Sequence, residues 1–333
     1  MNKSAKKHFF VFLRILIAVV LLGYLLLKVD IQRFWEQLQS ARFSLMCIGV
    51  LLYAVTAYLA IIRWKVLLQV HSVILTFSEL TKLFFVGLFF NNAMPGLTGG
   101  DIIKAYYVAR HTAHNKTEAV ATVFIDRIIG IFALFVIGII TLMFNLKNPD
   151  FRKIALFLTI VFISILVFLP IFFNKHLLKK IPFLLKIIDL FPFKDMLIRI
   201  YEAFYKYKSH PYAVVYSLVL SILLQGVFIF IVSLFGIALS LDVHFLHYFL
   251  FIPIISTISA LPVSISGLGV SEQLYVYCFG LVGAQSEGSL ALALMARLIL
   301  VIWSLPGWYF YMTMGELKVS EETMEKEIII AGR

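Results

Sequence analysis

The chain has 333 residues, of which 62% are hydrophobic and only 14% charged, with a formal net charge of +11. Soluble domains carry about 45–50% apolar and ~25% charged residues, so a soluble globular protein is excluded. The basic excess sits in loops beside apolar runs, where membrane topology accounts for it, and no nucleic-acid partner is expected.

From the amino end, Lys3, Lys6 and Lys7 precede the apolar stretch Phe9–Leu27. Its length, the presence of Arg14 and the absence of a small-x-small cleavage site mark an uncleaved anchor rather than a signal peptide. A helix of about 20 apolar residues spans a bilayer. Six stretches meet that length, at roughly 9–28, 43–62, 119–143, 154–173, 211–239 and 289–313. Arg63 and Lys65 flank Trp64 at the end of the second stretch and read as interfacial anchors. Cys47 and Cys278 lie in apolar runs without CxxC or metal spacing, and are expected to be small buried hydrophobes. Segments 80–110 and 246–282 are equally apolar, yet proline and glycine interrupt each near its middle. Short segments of alternating polarity, the mark of a transmembrane barrel, are missing.

Loop charge sets the expected topology. Loop 174–208 carries eight Lys and Arg residues and belongs on the cytoplasmic side with the N-terminus. An even number of crossings must separate the two, so segment 80–110 enters and leaves on one side. This assignment puts 20 Lys and Arg residues inside and 6 outside, although Lys147, Arg152 and Lys153 in loop 144–153 run against it. Segment 246–282 then starts and ends outside. The expected fold class is an all-α polytopic membrane protein: about six full transmembrane helices plus two oppositely oriented re-entrant hairpins, arranged as an inverted repeat. A single membrane domain would cover residues 1–315, and 316–333 would be a short acidic cytoplasmic tail. Within loop 174–208, Asp195–Lys208 alternates apolar and basic residues as an interfacial helix would.

The interrupted segments are where function is expected. Broken backbone survives at membrane depth only when buried in protein or lining a wet cavity. Pro95, Gly99 and Gly100 break the first segment; Pro262, Gly267 and Gly269 break the second. Half-helix N-termini exposed there suit phosphate or carboxylate. Asn91, Asn92 and Thr98 in the first tip, with Ser264 and Ser266 in the second, add hydrogen-bonding groups. Charge within the membrane is costly and faces an interior or cavity. Asp101, Lys104, Asp126, Arg127, Glu272 and Arg297 are the candidates. Arg127 or Arg297 could hold a lipid phosphate, or each could pair with Asp101 or Glu272. Asp126 and Arg127 are adjacent on a helix, point in different directions and need separate partners. The histidines show no metal-ligand spacing, and no GxSxG, HExxH, Walker A, CxxC or Asp-x-Asp signature is present. No metal, no cofactor and no catalytic residue is expected.

These residues carry a family resemblance. Asn92–Asp101 (NAMPGLTGGD) with Lys104, the run AVATVFIDR ending at Arg127, the stretch LPVSISGLGVSE ending at Glu272 (P-x-S-x-x-G-x-G-x-x-E) and the early Arg63-Trp64 pair supply it. Together they resemble the flippase-like integral membrane family related to the membrane domain of lysyl-phosphatidylglycerol synthase. Asp101 stands where that family commonly has Glu, Lys104 where it has Arg, and Gly130 where an acid often follows. The resemblance implies a lipid transporter or flippase of the bacterial inner (cytoplasmic) membrane, with both termini cytoplasmic. Membrane lipids with anionic or zwitterionic headgroups would be the partners, and assembly into a homo-oligomer stays open. The soluble aminoacyl-transferase domain of two-domain relatives has no counterpart here, so synthesis of aminoacyl lipids is not expected. The alternatives are a membrane-embedded transferase or hydrolase acting on a lipid-linked sugar or phosphate, and a non-transporting envelope scaffold.

Overall fold

The computed structural model describes residues 16, 19–21, 23–24, 29–93, 99–112, 116–143, 160, 202–260 and 264–313. Every regular element among them is helical. In chain order they are α1 (Ile31–Gln39), α2 (Phe43–Val70), α3 (Phe77–Ala93), α4 (Gly99–His111), α5 (Lys116–Met143), α6 (Pro211–Ala238), α7 (Phe245–Ser259), α8 (Val270–Gly280) and α9 (Ser286–Thr313). Single 3-10 turns occupy Tyr207–Ser209 and Ile265–Gly267.

Local chemistry sets the helix starts. Asp30 Oδ1 accepts from the backbone N–H groups of Gln32 and Arg33 at 3.0 and 3.2 Å and caps α1. Pro211 opens α6, where a missing N–H costs nothing. Helices α2, α5, α6 and α9 each run 28 residues. At 1.5 Å per residue that is ~42 Å, more than the ~30 Å hydrocarbon core requires. All four are apolar enough to cross a membrane. Their outer faces show large apolar residues such as Leu51, Phe124, Val219 and Leu298, as a lipid-facing surface does.

The two interrupted stretches are pairs of short helices. Helices α3 and α4 have 17 and 13 residues, and α7 and α8 have 15 and 11. Their lengths are roughly 16–26 Å, so none reaches across a bilayer alone. Pro95 and Pro262 fall between the arms and outside the described residues.

The packing is reciprocal. The chain divides into two quartets, α2–α5 and α6–α9, each ordered as long helix, short pair, long helix. Helices α2 and α6 share the most extensive contact. Arm α3 lies against α9 of the other quartet, and arm α7 lies against α5. Small residues permit close approach: Gly49 meets the Phe235 ring, Gly236 the Tyr248 hydroxyl and Gly307 the Phe85 carbonyl, with no room for a Cβ at any of them.

Several expectations change here. Cys47 is exposed on the apolar surface, and only Cys278 is buried; an apolar run identifies a membrane helix without saying which face looks inward. The described end of the 195–208 stretch docks on protein. Ala203, Phe204 and Tyr207 are buried, and the Tyr207 hydroxyl donates to the Leu67 carbonyl at 2.8 Å. The expected spans at 9–28 and 154–173, apart from isolated positions, and the 316–333 tail lie outside the described residues.

Candidate functional site

A cavity of about 440 Å³ opens between the two quartets and is lined by both interrupted segments. Asn91 and Asn92 reach it from the end of α3, and Ser256, Ser259 and Ser266 from α7 and the turn after it. Six charged side chains line it as well: Arg63, Asp101, Lys104, Asp126, Arg127 and Arg297.

Each tip is built by its own hydrogen bonds. Asn91 Oδ1 accepts from the Gly100 N–H at 3.0 Å, joining the end of α3 to the start of α4. A Cβ on Gly100 would strike the Gly87 carbonyl, so the arms meet backbone to backbone only because Gly100 has no side chain. Asn92 Nδ2 donates to the Leu300 carbonyl at 3.1 Å and ties the first tip to α9. In the second tip, Ser266, Gly267 and Gly269 all take positive φ, at 48°, 70° and 80°. For Ser266 this left-handed conformation is unfavourable. Its hydroxyl donates to the Asn91 carbonyl at 2.8 Å, so the two tips touch directly. The N–H of Gly269 donates to Glu272 Oε2 at 2.7 Å and caps α8.

The intramembrane charges sort into pairs. Arg63 binds Asp126 through two bonds of 2.7 and 2.9 Å and also donates to Ser221 Oγ at 2.8 Å. Arg127 pairs with Asp101 at 2.5 Å. Arg297 donates to Glu272 Oε1 at 2.7 Å and to Ser271 Oγ at 2.8 Å, and reaches the Ser266 carbonyl at 3.3 Å. Asp126 and Arg127 thus have separate partners, as their adjacency on a helix requires. Arg127 and Arg297 both take the ion-pair alternative.

Arg63 corrects an expectation. It is not an interfacial anchor: it is 8% exposed inside α2, which continues eight residues beyond Ile62. Trp64 is fully buried beside it, its Nε1–H donating to Thr122 Oγ1 at 3.1 Å. Gly130 lies beside the guanidinium, and a Cβ there would meet Arg63 Nη1 at an ordinary contact distance of 3.4 Å.

Lys104 stands apart. It is 7% exposed, yet among the described residues its ammonium makes no hydrogen bond and no ion pair. It lies 4.4 Å from the Trp64 ring centroid and 5.6 Å from that of Phe84. Such cation–π contacts supply about 0.5–2 kcal/mol. Among the described residues each carboxylate at the cavity is paired with an arginine, so the ammonium faces the cavity itself.

Of the sequence candidates, Asn91, Asn92, Asp101, Lys104, Asp126, Arg127, Ser266 and Arg297 line the cavity. Glu272 is fully buried behind Arg297. Gly99, Gly100, Ser264, Gly267 and Gly269 form the tips without lining it, while Pro95, Thr98 and Pro262 lie outside the described residues. Sequence reasoning missed Gln225, Tyr275 and Ser271 on the wall, and Ser221 beside Arg63. Only Gln225, a lone amide in the apolar helix α6, carried a signal. Among the described residues no group of three His, Cys, Asp or Glu gathers to hold a metal.

Residues 11–307 match the family described as Lysylphosphatidylglycerol synthase TM region. The chain belongs to that family. The match spans both tips and all six charged wall residues, so the cavity lies within the family's shared region. Curated relatives are UPF0104 membrane proteins of archaea. That of Pyrococcus horikoshii is 22% identical over 308 residues, covering 86% of this chain and 92% of the relative. That of Methanothermobacter thermautotrophicus is 23% identical over 305 residues, covering 86% and 89%. That of Methanocaldococcus jannaschii is 33% identical over 82 residues, covering 23% and 24%.

Proposed function

We propose that this protein moves lipid headgroups across a cytoplasmic membrane, acting as a transporter or flippase rather than as an enzyme. One observation carries the proposal: a cavity, lined among the described residues by six charged side chains, lies between two broken helix pairs inside an otherwise apolar helical protein. The headgroup would cross through the cavity while the acyl chains stay in the bilayer. In this reading α3–α4 and α7–α8 are re-entrant hairpins that enter from opposite faces. Their short arms and the reciprocal packing of α3 on α9 and α7 on α5 support an inverted repeat. The 9–28 and 154–173 stretches would complete six full spans, with both termini cytoplasmic.

Two experiments test this. Purified protein is reconstituted into vesicles holding trace fluorescent lipids of anionic, zwitterionic and cationic headgroup, and a membrane-impermeant quencher is added. Quenching should exceed the outer-leaflet fraction seen in protein-free vesicles; no excess for any headgroup would overturn the translocation reading. For topology, Cys47 is first replaced by Ala. Phe77→Cys and Arg110→Cys should then label from one face, and Phe245→Cys and Gly280→Cys from the other. Labelling of Phe77→Cys and Arg110→Cys from different faces would show that the first pair crosses.

A further inference from the structure

We infer that Lys104 is the headgroup-binding cation of the cavity and that it selects lipids whose phosphate ester leaves the headgroup net negative. The inference rests on the translocation reading and narrows it.

Among the described residues, four cations, Arg63, Lys104, Arg127 and Arg297, and three carboxylates, Asp101, Asp126 and Glu272, stand around the cavity. Each carboxylate is taken by one arginine, in contacts of 2.5 to 2.7 Å. That leaves one positive charge, on Lys104. The ammonium stands over the aromatic faces of Trp64 and Phe84 on the cavity wall, where an anion entering the cavity meets a cation with no carboxylate of its own. Its Cγ and Cδ lie across Gly87, where a Cβ would overlap both, so the glycine leaves the space through which the stem reaches the cavity. An ammonium is a compact point charge with three donors, suited to a phosphate oxygen.

Headgroup classes separate on this count. A phosphodiester with an uncharged alcohol brings one negative charge and neutralises the cavity. A zwitterionic headgroup brings its own ammonium and leaves the excess in place. A cationic headgroup enlarges it.

The test uses vesicles of phosphatidylcholine with acyl-labelled phosphatidylglycerol or acyl-labelled phosphatidylcholine as the moving lipid. The parent should move the anionic probe at least ~10-fold faster, equivalent to about 1.4 kcal/mol. Lys104→Gln should bring the ratio near unity, and Lys104→Arg should preserve it. A parent without preference, or a preference that survives Lys104→Gln, overturns the inference and leaves translocation standing. If no lipid moves at all, the translocation reading falls, and lipid retention by purified protein in native mass spectrometry decides the present one. There phosphatidylglycerol should be retained over phosphatidylcholine by the parent and Lys104→Arg, and not by Lys104→Gln; equal retention overturns it. Displacement of phosphatidylglycerol by millimolar glycerol 3-phosphate would point to a soluble phosphate ester and overturn the lipid assignment. If Lys104→Gln does not purify as a monodisperse protein, Lys104→Met replaces it, and the parent's own preference still decides the charge count.

Discussion

Substituting Asp126 by Asn isolates the deepest ion pair. The Arg63 and Asp126 side chains are only 9% and 10% exposed. Their bonds of 2.7 and 2.9 Å satisfy two of the guanidinium nitrogens, and Ser221 accepts from the third at 2.8 Å. Breaking one partner of such a buried pair costs about 3–5 kcal/mol, because the other charge stays behind uncompensated. Replacing both partners with apolar residues of similar volume is often neutral or stabilising. Each kcal/mol moves the melting temperature by roughly 2–4 °C in domains of comparable size. Asp126→Asn should therefore lower thermal stability in detergent by on the order of 10 °C. Arg63→Met combined with Asp126→Leu should recover most of that loss. Fluorescence-detected size exclusion after graded heating measures both. A single variant within about 2 °C of the parent, where 3–5 kcal/mol is claimed, would refute the buried pair and return Arg63 to the interface.

Three further outcomes concern Gly100, Ser266 and His71. Gly100→Ala pushes a methyl against the Gly87 carbonyl and should cost about 1–3 kcal/mol or more in melting assays. Gly226→Ala, with nothing within 4 Å, should be neutral or gain about 0.5–1 kcal/mol of helix preference; equal losses would count against the close approach of α3 and α4. Ser266→Ala loses the bond to the Asn91 carbonyl, about 0.5–1.5 kcal/mol, while keeping a positive φ. Ser266→Gly loses the same bond but relieves the backbone, so it should melt above Ser266→Ala. The third outcome concerns His71, buried just past the end of α2. Burial, reinforced by Lys206 and His210, lowers its pKa from 6.5 to about 4. The folded protein then binds fewer protons than the unfolded chain in this window, so stability is complete above 6.5 and declines as pH falls toward about 4. His71→Gln should flatten that part of the melting-versus-pH curve; an unchanged slope would exclude His71 as its source.

Hydropathy located three of the four long helices within three residues and ended α2 eight residues early, because length and apolarity are what a bilayer demands. The interruptions were readable for the complementary reason: proline and glycine inside an apolar run have few uses at membrane depth. The cost of intramembrane charge left two uses open for Arg127 and Arg297, a lipid phosphate or a carboxylate, and the structure pairs them with Asp101 and Glu272. Arg63 was misread because the apolar window ended at Ile62 while the helix did not. Its partner lies 63 residues away in sequence, a separation that no local pattern encodes. Ser221 resembles any other serine in an apolar helix until Arg63 is placed beside it. The leftover charge on Lys104 was invisible for the same reason. Six candidate charges were in view, but an excess emerges only when each carboxylate has been matched to its arginine.

The exchange of partners between quartets bears on biogenesis. Helix α3 leaves the ribosome early, yet the surface it packs against belongs to α9, the last helix described. Synthesis at about 5–20 residues per second puts roughly ten seconds or more between the two. During that interval the nascent first half sits in the lipid with its Asn-bearing tip uncovered, so insertion factors able to shelter a polar helix end would be needed until translation is complete.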